Sequence, residues 1–325
     1  MTAVIDARGL RKQFTIRTRR GRLHRETTTV DAVAGVDLTV ESGEMIGYIG
    51  PNGAGKSTTL KMLTGILNPT AGHLRVCGLE PVPRRLALTR RIGVVFGQRS
   101  ALWWDLPLRD SFHLLRHVFG VDPAEHARRL DRCRELLDLD AFADTPVRQL
   151  SLGQRMRGEL TAALLHGPQV LFLDEPTIGL DVVSKRAVRQ FLTELRDAGD
   201  TTVVLTTHDL ADIEKLCRRL VVIDHGTVVH DGTLEALHDR YGARRQVVAD
   251  FETAWPTDAP LPDGVVATAS PDDPRRVVFS LRGTRAPSAG ELLRRLAIAH
   301  PLRGVSIVDP NIEDVVARLY AEPAD

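Results

Sequence analysis

The sequence lacks the features that would mark several other classes of protein. Only five of its 43 basic residues are lysine, and the opposite charges nearly cancel to a net charge of +1. This balance predicts neither a nucleic-acid surface nor attraction to an anionic membrane. The cysteines Cys77, Cys133 and Cys217 are odd in number and lack metal-ligand spacing. They argue against a disulfide framework and fit a reducing compartment.

Long apolar runs are also missing. No stretch approaches the ~20 residues that a membrane helix needs, and the first residues carry acid and base without an apolar core. We therefore expect neither a membrane span nor a secretory signal. What is present is a length of 325 residues, of which 43% are hydrophobic. This predicts one large domain with a useful core and one smaller domain.

Short apolar runs alternate with helical stretches over the first part of the chain. We expect helices at 57–67, 181–198 and 210–218, and strands at 4–10, 36–40, 44–49, 92–96, 170–173, 202–206 and 220–223. This alternation predicts a parallel sheet covered on both faces. Residues 102–166 have helical periodicity and almost no strand signal. They predict a helical subdomain inserted into the sheet domain.

The character of the sequence changes around residues 234–245. Beyond this point we expect strands at 247–251, 277–281 and 305–308, and helices at 289–300 and 312–321. Proline-rich loops separate them. The chain is therefore predicted to contain a main domain at 1–235 and a small α+β accessory domain at 236–325.

The most specific local motif is a glycine-rich turn between a predicted strand and a predicted helix. It matches G-x-x-x-x-G-K-[ST] and comprises Gly50, Pro51, Asn52, Gly53, Ala54, Gly55, Lys56, Ser57 and Thr58. Small residues let consecutive N–H groups wrap a phosphate chain, and the next helix directs its positive dipole end at the same anion. We expect Lys56 to bridge the β- and γ-phosphates and Ser57 to bind Mg²⁺. The alternative is a glycine-rich strand-to-helix turn without a ligand; the position of the motif between a predicted strand and a predicted helix, which phosphate binding requires, favours the phosphate loop.

Two acids follow an apolar run near the middle of the chain. Val-Leu-Phe-Leu at 170–173 leads into Asp174 and Glu175 at the carboxyl edge of the predicted sheet. We expect Asp174 to hold Mg²⁺ through water and Glu175 to polarise the water that attacks the γ-phosphate. Many strands end in acids, so this pair alone is a weak indication of a catalytic site. The phosphate loop upstream makes it a stronger one.

Six motifs follow one another in the order found in ABC-type ATPases, and residues 1 to about 235 resemble that family. The motifs are the loop at 50–58, Gln98, Leu-Ser-Leu-Gly-Gln-Arg at 150–155, Asp174 with Glu175, Ile-Gly-Leu-Asp at 178–181, and Thr-His-Asp at 207–209. The resemblance implies an α/β P-loop NTPase core whose mainly parallel sheet has an antiparallel β edge. It also implies that the chain binds ATP with Mg²⁺ and hydrolyses it to ADP and phosphate.

The resemblance assigns roles that no local pattern provides. It implies that Gln98 senses Mg²⁺ and a transmembrane partner, that Asp181 couples two ATP sites, and that His208 contacts the γ-phosphate during catalysis. A second nucleotide-binding subunit, identical or related, would share both sites. The signature residues expected to bind across to the partner's nucleotide are Ser151, Gly153 and Gln154.

The sequence departs from the family pattern in two places. Leu152 stands where the family usually has glycine, although Ser151 and Gly153 remain. Phe14 is the best match for the aromatic residue that stacks on adenine, but the segment 15–29 after it is unusually long and rich in arginine. We expect this segment to be a solvated hairpin loop, and a surface that touches lipid or nucleotide is the alternative.

Two further segments resemble the ATPases of ABC-2 type exporters, especially those grouped with viologen and multidrug export. They are residues 92–107, which contain Trp103 and Trp104, and residues 310–320. This resemblance implies integral membrane permease subunits as partners and a location at the cytoplasmic face of the membrane. The two tryptophans either grip a coupling helix of the permease or lie buried in the helical subdomain.

A transporter motor is the leading hypothesis, and two alternatives belong to other classes. ABC ATPases of chromosomes and repair place a long coiled coil between phosphate loop and signature, but Lys56 and Ser151 lie only about 95 residues apart. Translation-type members carry two cassettes, and one set of motifs occurs here, so nucleic acid or the ribosome is not an expected partner. A binding module without turnover is disfavoured because Asp174, Glu175 and His208 accompany Lys56.

Overall fold

The computed structural model of the chain describes residues 3–20, 24–97, 100–241, 246–256, 259–281, 286–308, 315–316 and 319–320. The chain divides into two compact units, one ending at Leu234 and the other beginning at Glu235. Within these described ranges, no helix is both long enough and apolar enough to cross a membrane.

A nine-stranded sheet runs through the described part of the first unit. Its strands are β1 Ala3–Arg20, β2 His24–Glu41, β3 Met45–Ile49, β4 Ala71–Val76, β5 Ile92–Phe96, β6 Val170–Asp174, β7 Thr202–Thr206, β8 Arg219–Asp224 and β9 Thr227–Thr233. They lie in the order β4-β1-β2-β9-β8-β3-β7-β6-β5. The strands from β8 to β5 are parallel, whereas β1 pairs antiparallel with β2 and β4. The predicted parallel sheet with an antiparallel edge is confirmed.

The central strands are apolar along their length because both faces of the sheet are covered. Tyr48 on β3, Phe172 on β6 and Val204 on β7 are completely buried and share one core with Leu60. Burying an aliphatic or aromatic side chain of this kind contributes about 1.5–3 kcal/mol. The core therefore fixes the carboxyl ends of β3, β6 and β7 relative to one another.

Helices form most of the connections. They are α1 Lys56–Leu63, α2 Arg85–Thr89, α3 Leu108–Phe119, α4 Pro123–Leu137, α5 Leu152–Leu164, α6 Val182–Ala198, α7 Leu210–Leu216 and α8 Leu234–Tyr241. Helices α3, α4 and α5 all fall between β5 and β6, which pair directly in the sheet. No strand interrupts the described residues between these two strands. The helical segment is therefore a single excursion from adjacent strands.

The first forty residues differ from expectation. The sequence predicts short strands at 4–10 and 36–40 and a solvated loop at 15–29, but β1 and β2 stay paired as far as Arg20 and His24. Runs such as Thr-Thr-Thr-Val at 27–30 favour extended backbone. The many arginines of the segment favoured a solvated loop instead, and the prediction followed them. The loop prediction is wrong for the described residues of this segment, and residues 21–23 lie outside them.

A four-stranded antiparallel sheet and a helix are the described elements that lie wholly in the second unit, and the described residues 315–316 and 319–320 are also helical. The strands β10 Gln246–Phe251, β11 Val265–Ala269, β12 Arg276–Leu281 and β13 Leu302–Val308 lie in the order β11-β12-β10-β13, and the helix is α9 Ala289–Ala299. Leu292 and Leu296 of the helix share a buried core with Val247 and Phe279 of the sheet. The sequence did not predict β11, and the helix predicted at 312–321 falls mostly outside the described residues.

Candidate functional site

The phosphate-loop motif lies where β3 ends and α1 begins. Gly53 and Gly55 have φ values of 86° and 105°, which residues with a side chain rarely adopt. A Cβ atom on Gly55 would also overlap the backbone carbonyl oxygen of Ala32. Among the described residues, no side chain caps the first turn of α1. Its first N–H groups are therefore available to bind an anion at the positive end of the helix dipole.

The ammonium group of Lys56 is held against the loop itself. Its Nζ atom donates to the carbonyl oxygens of Gly50, at 2.6 Å, and Pro51, at 3.0 Å. The residue is 9% exposed. Burial lowers the Lys56 pKa, and the Glu175 and Asp174 carboxylates act in the opposite direction. A buried cation beside a phosphate-loop turn is well placed to exchange its carbonyl partners for phosphate oxygens.

Asp174 joins the loop to the centre of the sheet. Its Oδ2 atom accepts a hydrogen bond from the Ser57 hydroxyl at 3.4 Å, and its Oδ1 atom accepts one from the Thr206 hydroxyl at 2.6 Å. These three residues come from α1 and from the ends of the neighbouring strands β6 and β7. A carboxylate and a hydroxyl are the hard oxygen ligands that Mg²⁺ prefers. The chemistry of this donor set therefore fits a magnesium ion.

Glu175, directly after Asp174, has an unusual backbone conformation. Its φ angle of 54° is positive, which costs about 1–3 kcal/mol for a residue other than glycine and needs support from its surroundings. The N–H group of Glu175 donates to the carbonyl oxygen of Thr206 at 3.0 Å. The Glu175 Oε2 atom lies 3.4 Å from Nδ1 of His208. The structure thus brings together the two residues expected to act in catalysis.

A cavity of about 590 Å³ adjoins these groups. Its lining includes the polar residues Ser57, Asp174 and Glu175 and the apolar residues Ile66, Phe96 and Ile178. Gly97 also lines it, but Gln98 and Arg99 lie outside the described residues. The role predicted for Gln98 therefore stays a prediction.

The signature motif forms the start of helix α5. Ser151 caps α5, since its hydroxyl accepts the N–H of Gln154 at 3.2 Å while its own N–H donates to the Gln154 side chain at 2.9 Å. This reciprocal pair satisfies two N–H groups at the helix start. Leu152, where the family usually has glycine, is 40% exposed. The capping box of Ser151 and Gln154 forms with leucine at this position.

Gly153 and Asp181 meet at the start of α6. A Cβ atom on Gly153 would overlap the side chain of Ser184. The Asp181 carboxylate accepts hydrogen bonds from the N–H and hydroxyl of Ser184, at 2.9 and 2.7 Å, and these bonds lower its pKa. Close helix approach thus places the signature and the segment around Asp181 side by side.

Several predicted residues do not join the cavity. Phe14 lies on β1, 38% exposed, with the Lys12 ammonium 5.2 Å from its ring centroid, and neither Phe14 nor Ser151 lines the cavity. Trp103 and Trp104 are 39% and 52% exposed. Burial of these two tryptophans in the helical subdomain, one of the two alternatives, is therefore wrong.

Sequence reasoning missed two residues that hold the site. Thr206 contacts both Asp174 and Glu175, and only its place at the end of a strand beside β6 could have indicated it. Asp212 is 1% exposed and accepts hydrogen bonds from Thr177, at 2.7 Å, and from Arg189. A buried acid in a short helix after His208 was the available signal. Thr206 thus holds both acids, and Asp212 joins the segment after Glu175 to α6 through side-chain hydrogen bonds.

Comparison with known proteins decides the family. The family model described as ABC transporter matches residues 33–178. The Nod factor export ATP-binding protein I of Cupriavidus metallidurans is 38% identical over 240 residues, which are 74% of each chain. The protein of the same name from Ralstonia nicotianae is 35% identical over 98% of this chain and 94% of its own length. The chain belongs to the ATP-binding proteins of ABC transporters.

Other ABC proteins agree with this assignment. NatA, an ABC transporter ATP-binding protein of Bacillus subtilis, is 31% identical over 65% of this chain and 85% of its own. A solved ATP-binding subunit of an ABC transporter superposes with a TM-score of 0.62 at 26% identity, covering 74% of this chain and 93% of that one. A dimeric cassette in a post-hydrolysis state with ADP and Pi gives 0.60 at 26% identity, over 71% and 98%.

Family membership establishes the activity of the chain. It is an ABC ATPase, which binds and hydrolyses ATP. The predicted α/β P-loop core is confirmed by these structural relatives. The transport class, which the sequence favoured over an ATPase acting on nucleic acid or ribosomes, is also confirmed.

Proposed function

We propose that this chain powers an ABC exporter of the ABC-2 type, as the MgATP-hydrolysing subunit of a pair that works on membrane permeases. The observation that carries the catalytic part is the meeting of Lys56, Ser57, Asp174, Glu175 and His208 at one edge of the parallel sheet. The export direction is supported by the names of relatives, several of which are Nod factor export proteins. The cargo would be a small or amphipathic compound chosen by the permease.

The phosphate chain would bind along residues 50–58. The N–H groups of the loop and of the first turn of α1 would surround the phosphates, and Lys56 would move from the Gly50 and Pro51 carbonyls to the β/γ-phosphate oxygens. Phe14 is proposed to stack on adenine. Its exposure on β1 leaves the ring accessible.

Ser57 and Asp174, with Gln98, would hold Mg²⁺. Their oxygen donors suit that ion, and the Thr206 hydroxyl fixes the carboxylate of Asp174. When bound, the ion neutralises charge that develops on the phosphates. Thr206 would orient Asp174 for this purpose, whether or not the nucleotide is hydrolysed.

Glu175 would position and polarise the attacking water. Phosphoryl transfer depends mainly on alignment and charge stabilisation, and the Glu175 carboxylate lies beside the His208 imidazole. His208 would hold Glu175 in register and reach the γ-phosphate from the next strand. Their 3.4 Å separation supports a paired role.

A second subunit would complete each site. Ser151, Gly153 and Gln154 at the start of α5 would bind the partner's γ-phosphate, and Asp181 beside them would link the two sites. The exposed Trp103 and Trp104 offer a surface for a permease coupling helix, which would hold the protein at the cytoplasmic face of the membrane. The domains are proposed as 1–235 for the ATPase, with residues 102–166 as its helical part, and 236–325 for the accessory domain.

ATP-binding measurements and steady-state hydrolysis of MgATP by the purified chain and its variants test the catalytic assignment. Lys56→Ala should abolish tight ATP binding, and Asp174→Asn should raise the Mg²⁺ concentration needed for turnover while metal-free ATP still binds. Lys215→Ala, at another lysine of the first unit, is the control and should behave like the parent. Unchanged ATP affinity in folded Lys56→Ala would overturn the proposed phosphate site.

A further inference from the structure

A second cavity lies in the first unit. Among the described residues, none lines both this cavity and the one beside Ser57 and Asp174. It has a volume of about 390 Å³ and is lined by residues of α4, α5 and α6 and by the turn before β7. Because Arg128, Arg129 and Arg132 of α4 line it, we call it the arginine cavity. Its volume falls within the range of small-molecule sites, about 300–1,000 Å³.

The positive charge of the arginine cavity is only partly compensated. Three guanidinium groups and one carboxylate, that of Asp200, are found among its described lining residues. Arg128 and Arg129 share Glu125, whose Oε2 atom lies 2.7 and 3.3 Å from their nitrogens. Arg132 forms no hydrogen bond or ion pair with any residue that the structure describes. Arg128 and Arg132 occupy positions i and i+4 of one helix, where like charges repel each other. A bound anion would relieve that repulsion.

The Arg129 guanidinium is fixed at the wall of the cavity. Its Nη1 atom donates to the carbonyl oxygen of Leu165 at 3.1 Å. It also lies against Gly167, where a Cβ atom would overlap the guanidinium. A guanidinium that is already ordered loses little further entropy when it binds an anion, and its planar set of N–H donors matches a carboxylate or a phosphate group.

The lining on the α5 and α6 side is mainly apolar. Leu164 of α5 and Phe191 and Leu195 of α6 line the arginine cavity and are otherwise buried. The methyl group of Ala198, at the end of α6, also lines it. A hydrocarbon group that entered would leave water for contact with these side chains, which favours binding. The cavity thus combines cationic donors with an apolar wall.

We propose that the arginine cavity binds a small amphipathic anion. Its carboxylate or phosphate group would contact Arg129 and Arg132, and its short hydrocarbon chain would lie against Leu164, Phe191 and Leu195. A purely polar anion leaves the apolar wall without a partner, and a neutral apolar molecule leaves the arginines without one. The site is separate from the proposed ATP site, so we expect it to bind its ligand with or without nucleotide.

Isothermal titration calorimetry of the full chain without nucleotide tests this site, with octanoate and octyl phosphate as probes. We expect one molecule of at least one probe to bind per chain, and the tighter probe identifies the anionic group. Acetate keeps only the charge and 1-octanol only the chain, so both should bind at least about tenfold more weakly. No binding of either probe, or binding of 1-octanol as tight as that of the probes, would overturn the proposal.

Three variants of the lining test the contacts, with circular dichroism to show that each is folded. Arg132→Gln should weaken binding of the tighter probe about tenfold, because one charge-assisted pair is lost. Ala198→Trp should abolish binding by filling the cavity, and Ala198 is exposed, so the fold should tolerate the change. Asp200→Asn should tighten binding a few-fold, because a carboxylate that repels the probe is removed.

Two further variants serve as controls. Arg186→Gln removes an exposed arginine of α6 that does not line the arginine cavity, and it should bind the probe like the parent. Lys56→Ala should also bind the probe normally, whereas lost probe binding in that variant would place the probe in the ATP site and overturn the proposal. Affinities of Arg132→Gln and Ala198→Trp equal to that of Arg186→Gln would overturn it as well.

Discussion

At the scale of single residues, Thr206 holds two adjacent acids, Asp174 and Glu175, for which different roles are proposed. The Thr206 hydroxyl donates to Asp174 at 2.6 Å, and the N–H of Glu175 donates to both the backbone carbonyl and the hydroxyl of Thr206, at 3.0 and 3.3 Å. Asp174 is thereby directed to Ser57, and Glu175 turns towards His208. Three hydrogen bonds to one threonine, at the end of the neighbouring strand, thus hold both acids.

Glu175→Gln and His208→Ala should each lower turnover at least about a hundredfold, because loss of a general base or of its alignment acts on the transition state. ATP affinity should stay within a few-fold of the parent. Their combination should cost much less than the product of the single losses, since both act on one step. Single-turnover kinetics measure this, and fully multiplicative losses would show that the residues act independently.

Thr206→Val should raise the Mg²⁺ requirement for turnover by about tenfold or more, because Asp174 loses the group that orients it. Thr202→Val is the matched control on the same strand. Thr202 is equally buried and accepts the N–H of Gly43 at 2.9 Å, far from the acids. Equal Mg²⁺ midpoints in the two variants would contradict the role given to Thr206.

The sequence alone was sufficient to predict the site residues that belong to a distinctive motif. Lys56 and Ser57 could be predicted because only a phosphate loop requires glycines, lysine and serine at that spacing. Asp174 and Glu175 follow from the end of an apolar strand. Thr206 could not be predicted in the same way, because a threonine in a β-rich run is ordinary and its partner depends on which strands are neighbours.

At the scale of secondary-structure elements, the contact between α5 and α6 sets the geometry of the signature. Gly153 permits the approach, and Ser184 fills the space that a side chain would need. The capped helix start at Ser151 and the capped start at Asp181 are therefore locked side by side.

Gly153→Ala should destabilise the fold by about 1–3 kcal/mol, the usual cost of forcing a methyl group into a packed contact. Thermal unfolding followed by circular dichroism measures the effect. Gly290→Ala, at a glycine of α9 with open space around it, should be neutral or slightly stabilising. Equal melting temperatures for both variants would mean that the α5–α6 contact relaxes freely.

The elements also show where sequence patterns are weakest. The strands β5, β6 and β7 were predicted within a residue, because short runs of mainly apolar and β-branched residues are typical of buried strands. Strands β1, β2 and β13 were predicted too short, and β4, β9 and β11 were missed; β4 is mostly exposed, and no residue of β9 is fully buried. Their hydrogen-bond partners in the sheet, and not their composition, make them strands.

At the scale of the whole molecule, one chain contains only part of the proposed site. Ser57, Asp174 and Glu175 line one cavity, which the signature residues Ser151, Gly153 and Gln154 do not reach. In the proposed arrangement, the signature of a second chain would face the bound nucleotide and complete the site. The dimeric cassettes among the structural relatives have this stoichiometry.

The mass of the Glu175→Gln variant with and without MgATP is the most direct test. Because this variant should bind ATP without splitting it, sedimentation velocity should show the 35.8 kDa chain alone and twice that mass after MgATP is added. Lys56→Ala in the same background should stay monomeric, since it cannot hold the shared γ-phosphate. Equal masses with and without MgATP, in a variant shown to bind it, would contradict a site completed by two subunits.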